Sequence, residues 1–168
     1  MRDQIVAFLS EPSVETYTAL RDAFVQLPEF RPEERPDGRV WQLLEEDRTD
    51  EAEVLAEAAK RPFLLSPATH VALGAVAKKR GDEYGARMEF DFANNLRWAM
   101  LQTGDGTRER PYMVNRVGDA YGILSWKEAT PHSVSMIFHK GRPLDVISTP
   151  ELGPVYFDVS IPMQAYPS

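Results

Sequence analysis

The sequence predicts an α+β fold: a helical part over residues 1–103 packed on an antiparallel sheet of four to five strands over residues 104–168, the two together forming one domain. Three observations carry this. Up to Gln102, apolar residues recur at spacings of three and four between N-cap residues and prolines. After Gly104 the segments are short, β-branched and aromatic, and separated by Gly, Pro, Asp or Lys-Gly. No strand–helix–strand alternation appears, so no parallel dinucleotide-binding sheet is expected.

The elements follow in order. Arg2 to Leu9 reads as a short helix. Ser13 is a good N-cap, and Val14, Tyr17, Leu20, Phe24 and Leu27 give a helical stripe after it. Pro28, Pro32 and Pro36 keep the next stretch out of helix. Val40 to Glu46 is helical. Thr49 caps a further helix, whose first turn holds Asp50 and Glu51, where the dipole favours carboxylates, and Pro62 ends it. Ser66-Pro67 pairs an N-cap serine with proline at the first helical position. That helix runs to Lys78-Lys79-Arg80, Gly81-Asp82 makes a tight turn, and a long helix spans about Glu83 to Gln102. The segments PYMVNRV, AYGILSW, HSVSMIFH, LDVIS and PVYFDVSI read as strands, with a hairpin turn at His139-Lys140-Gly141-Arg142. Phe90, Phe92, Leu96 and Phe157 are expected in one core shared by long helix and sheet.

Composition bounds function. With 168 residues, 43% hydrophobic and 27% charged, the chain builds its own core. It has no cysteine, which removes disulfides, thiol catalysis and cysteine-ligated metals. No apolar run reaches the ~20 residues of a membrane span, and the first residues, with apolar residues only from Ile5 to Leu9 between charges, do not read as a secretory signal. A soluble, cytoplasmic protein is expected, with no membrane partner. The net charge of −7 lies wholly in residues 1–61, which hold 15 acidic and 8 basic residues; residues 62–168 hold 11 of each. This balance argues against nucleic-acid binding. It also makes the acids Glu45, Glu46, Asp47, Asp50, Glu51, Glu53 and Glu57 the candidate contact for a basic protein partner.

Two resemblances refine this. Leu73-Gly74, Gly81-Asp82, Ala86, Phe90 and Ala93 resemble a tetratricopeptide-type helix–turn–helix unit, whose small residues let two antiparallel helices approach closely. The run GDGTRERPYMVNRVGDAYGIL followed by LDVIS and VYFDVSIP resembles an uncharacterised bacterial family over roughly residues 60–162. Asp119-Ala120-Tyr121 departs from that family's acidic-acidic-aromatic triplet. The resemblance implies a helical region leading into a β region and no established activity.

Catalytic candidates are few. Gly104-Asp105-Gly106-Thr107 follows a helix and precedes a strand, the reverse of a phosphate loop, and reads as a helix end and turn. His70, His132 and His139 lack metal-ligand spacing, so no metal or other cofactor is expected. At 100° per residue, Glu89 and Arg97 fall within the apolar band of the long helix, and each wants a partner; His70 on the preceding helix is one option for Glu89. A buried carboxylate beside a histidine is how an acid–base site begins. Asp119, Asp145 and Asp158, beside strands, are further acids, with Tyr121 near them. The expected function is a non-catalytic protein-binding module of the immunity or antitoxin kind. The alternative is a small hydrolase-like or other enzyme using His70 and Glu89, with Arg97, or the strand acids.

Overall fold

The structure, a computed structural model, describes residues 1–31 and 37–165; Pro32 and Pro36, expected to keep the chain out of helix, lie outside them. Among the described residues seven α-helices precede or interrupt a four-stranded sheet, and the fold is α+β. No helix is long and apolar enough to cross a membrane among these residues.

The helical part follows its local signals. Helix α1 is Arg2–Ser10 and α2 is Val14–Phe24. Ser13 caps α2 reciprocally with Thr16, each side chain meeting the other's backbone N–H at 3.0–3.1 Å. Helix α3, Asp37–Glu45, ends where Asp47 takes a left-handed φ of 59°. The amides of Asp47 and Arg48 then turn back onto the carbonyls of Leu44 and Leu43 and satisfy them. Helix α4, Thr49–Lys60, starts at Thr49 itself, with Arg48 in the cap position and no side-chain cap. Helix α5, Pro67–Lys79, is capped by Ser66, and α6, Glu83–Gln102, by Asp82, whose carboxylate accepts from the Gly85 amide at 2.9 Å. The α5–α6 hairpin is tight because Gly74 has no side chain: a Cβ there would stand 2.6 Å from the Phe90 ring.

The β part departs from expectation twice. The strands are β1 (Tyr112–Met113), β2 (Ser133–His139), β3 (Arg142–Thr149) and β4 (Gly153–Asp158), in the order β1-β4-β3-β2. β2, β3 and β4 are antiparallel, but β1 runs parallel to β4, so the sheet is mixed. The second departure is AYGILSW, which is not a strand. Val117–Trp126 forms helix α7. Asp119 decides it: its carboxylate Oδ2 accepts the backbone N–H groups of Asn115 and Arg116, both at 3.0 Å, and so caps the helix from inside its first turn. Ala120, Ile123 and Leu124 then point into the core at helical spacing.

Two buried clusters result. The larger joins α1, α2, α6 and α7 to the sheet through Phe8, Tyr17, Phe24, Phe92, Leu96, Ile123 and Phe157; the smaller holds α3, α4 and α5 together through Val40, Leu43, Ala52, Ala56 and Leu73. Phe92, Leu96 and Phe157 share one core as expected. Phe90 does not: it is half-buried and rests over Gly74.

Candidate functional site

The acidic run forms the exposed face of the α3–α4 corner, and the chain supplies it with cations. Arg48 bridges Glu46 and Glu51, each at 2.7 Å. Lys79 meets Asp47 at 2.8 Å, and Arg80 engages both Asp50 and Glu53. Arg39 lies 3.9 Å from Glu46. Lys79 and Arg80 come from the end of α5, so helix packing places them here, while Arg39 stands two turns before Glu46 on α3. Hydrogen bonds from Arg48 hold Glu46 and Glu51 below the usual carboxylate range, and Lys79 does the same for Asp47. The repulsion expected between neighbouring acids is therefore relieved within the chain. Six acids, Glu45, Glu46, Asp47, Asp50, Glu51 and Glu53, face four cations, Arg39, Arg48, Lys79 and Arg80, leaving an excess of two negative charges, while Glu57 stands beside Lys60 and lines the groove between α4 and α1.

In the middle of this face stands an apolar side chain. Val54 is 73% exposed. It borders a depression of about 470 Å³ between α3 and α4, with Leu43, Leu55 and Ala58 in its lining and Arg39, Asp50 and Glu51 at the polar positions. An apolar floor ringed by charge is the ordinary form of a protein-contact patch.

The second candidate, His70 with Glu89 and Arg97, is partly assembled. His70 is 0% exposed. Its Nδ1 lies 2.6 Å from Glu89 Oε2, and its Nε2 lies 2.7 Å from the Leu64 carbonyl. A carbonyl oxygen only accepts, so Nε2 carries a proton. Nδ1 faces the Glu89 carboxylate, so the ring is held on both sides. The other carboxylate oxygen of Glu89 accepts from Lys60 at 2.5 Å. Burial works against the Glu89 charge, but the bonds from His70 and Lys60 outweigh it and hold the carboxyl below its usual range. Phe92 packs edge-on against the imidazole at 4.4 Å between centroids. Every polar atom of the His70–Glu89 pair is thus engaged by the protein, and the group ties α4, α5 and α6 together. Arg97 does not join it. It is exposed and sits over the Trp126 ring, 5.1 Å from the centroid, because that part of α6 faces α7 and not α5.

The strand acids do not converge. Asp119 is in α7, Asp145 is on the core face of β3, and Asp158 is on the opposite face of the sheet from Asp145. Asp158 accepts from Ser160 at 2.5 Å and lies 3.4 Å from Arg142. Tyr121 lies on the exposed side of α7. Among the described residues no three His, Asp or Glu side chains gather as metal ligands. Gly104 to Thr107 forms a turn, with Asp105 accepting from the Thr107 amide and hydroxyl.

A buried polar network escaped the sequence reading. Arg21 Nε donates to Asn115 Oδ1 at 2.7 Å, and Asn115 Nδ2 donates to the Tyr17 hydroxyl at 2.9 Å. Arg116 reaches Ser66 Oγ at 3.3 Å and covers the Phe63 ring. Asp119 lies at the centre, its pKa raised by burial against the pull of Arg116 and of the two backbone amides. Tyr17 is pushed up by burial and by the Asp119 charge. The partners lie more than 90 residues apart in sequence, and only an arginine and a tyrosine one helical turn apart on α2 hint at them. The network pins α2 to the start of α7.

Compared with family models, curated proteins and solved structures, the chain shows no match to any of them.

Proposed function

We propose that this chain is a non-catalytic protein-binding module whose α3–α4 face engages a partner that is basic and apolar where it touches. The observation that carries this is Val54, largely exposed beside an apolar depression whose charged lining is Asp50, Glu51 and Arg39. A lone exposed valine is ordinary; one set in a lined depression with a residual negative charge around it is a docking point. The acidic excess speeds encounter with a basic surface, and the apolar floor supplies the desolvated contact. The tight α5–α6 hairpin supports a tetratricopeptide-like scaffold behind the face. An acidic, cysteine-free chain of this size suits an immunity or antitoxin protein, whose partner is a toxin with a basic surface. The full engagement of His70 and Glu89 by protein groups speaks for a structural role there and against a catalytic one.

The test is capture of host proteins on the immobilised chain, compared between wild type and Val54→Asp. The reading expects a bound protein that is lost with Val54→Asp while the melting temperature stays unchanged. Capture that is indifferent to Val54, and to Glu51→Lys beside it, contradicts the reading.

A further inference from the structure

We infer that β2 is a self-association edge, along which two copies of this chain pair antiparallel about a two-fold axis through Met136. The strand is open on its outer side: β2 pairs with β3 and with no other described strand. From Ser133 to His139 it carries no Lys, Arg, Asp or Glu, and its register with β3 is unbroken by any bulge. Edge strands are ordinarily guarded by charge, proline or a bulge; between Ser133 and His139 this one has none, and the one irregularity lies before it, where the His132 amide also reaches the Ser148 carbonyl.

Its exposed side chains fit the same picture. Val134, Met136 and Phe138 are 57%, 51% and 69% exposed and share one face. That face is the core face of the sheet, since Val134 lies opposite Ile147, and Ile147 opposite Val155. The helical layer covers it at β4 and leaves it bare at β2.

Backbone geometry sets the register. The hairpin turn Lys140-Gly141 has φ of 51° and 77°, both left-handed, as a two-residue turn matched to strand twist requires. Such a turn closes on a hydrogen-bonded pair, here His139 and Arg142. Bonded pairs then recur at residues 137, 135 and 133, and the N–H and C=O groups of Phe138, Met136 and Val134 point outward. A second β2 laid antiparallel with Met136 opposite Met136 sets each Val134 opposite Phe138 of the other copy. The outward groups of all three residues then pair, giving six backbone hydrogen bonds, and the apolar row becomes continuous across the axis.

A second copy fits better than an unlike partner because the strand is complementary to itself in this one register. Charge agrees: residues 62–168 carry no net charge, so the copies meet through their neutral halves. Two strand edges with three large side chains each bury on the order of 1,000 Å², the lower bound of a specific interface. A reversible dimer results.

Cysteine replacement tests both the pairing and its register, against a chain with no cysteine of its own. Directly opposed Met136 residues put their Cα atoms about 5.5 Å apart, within the ~4.4–6.8 Å a disulfide spans. Met136→Cys therefore crosslinks into a dimer under mild diamide oxidation. Val134→Cys does not, because the two Val134 positions are four residues out of register, about 13 Å apart. Sedimentation of the unmodified chain is expected to move from one chain's mass toward two as concentration rises. Met136→Lys, which sets two ammonium groups face to face, is expected to hold it at one. Equal crosslinking at both positions, or none at Met136 together with a concentration-independent monomer, overturns the proposal.

Discussion

At the scale of single residues, Glu89 carries the most. It was legible as a carboxylate inside an apolar helical band, and His70 was legible as a neighbour because the hairpin between them is short. Lys60 was not, since it arrives from α4 through packing. Arg97 lies in the same angular band yet is exposed, because the band is covered by α5 at one end of α6 and only partly by α7 at the other. Removing the carboxylate with Glu89→Ala leaves His70 buried without its acceptor and is expected to cost about 2–3 kcal/mol in denaturant melts. The pH dependence has a definite sign. The folded pKa of Glu89 is lowered, so its stabilisation is complete above the ordinary carboxylate range and is lost as pH falls through the folded value. The stability gap between wild type and Glu89→Gln is therefore expected to be widest near neutrality and to close in acid. A gap that widens in acid contradicts the His70–Glu89–Lys60 arrangement.

At the scale of elements, local signals succeeded where they were self-contained. Ser13, Ser66 with Pro67, Gly81-Asp82 and Lys140-Gly141 each set a boundary close to where the structure puts it, because a cap or a turn acts within three or four residues. The reading of AYGILSW, Ala120 to Trp126, as a strand failed because composition outweighed period: Ile, Leu, Tyr and Trp suggested β structure, while Ala120, Ile123 and Leu124 recur at helical spacing. The capping carboxylate of Asp119, three residues after Arg116, was the signal that could have found α7. The parallel β1 pairing had no local signal at all, since β1 is two residues long and gains its place from Phe157 and Asp158 opposite it. The α5–α6 hairpin offers an element-scale prediction. Gly74→Ala brings a methyl into the Phe90 ring and is expected to destabilise by about 1–2 kcal/mol. With Phe90→Ala already present the clash is gone, and Gly74→Ala is expected to stabilise by about 1 kcal/mol through helix propensity alone. A double-mutant cycle in urea reads this change of sign directly; additive effects contradict the close approach.

At the scale of the whole molecule, charge and apolar surface are divided between the two halves. The acidic excess lies with α3 and α4, while the bare apolar row lies on β2 in the neutral half. The uneven charge was plain in the sequence. Its neutralisation by Lys79 and Arg80 was not, because those cations are brought to the acids by helix packing. What remains is a weaker acidic face with an apolar centre at Val54, where the proposed partner docks. Amide hydrogen exchange of the full chain, alone and with any protein captured on it from host extract, locates that docking face. Slowed exchange is expected in Asp37–Glu45 and Thr49–Lys60 on binding, with β2 responding to chain concentration and not to the partner. Slowed exchange confined to other elements, with α3 and α4 unchanged, would contradict it.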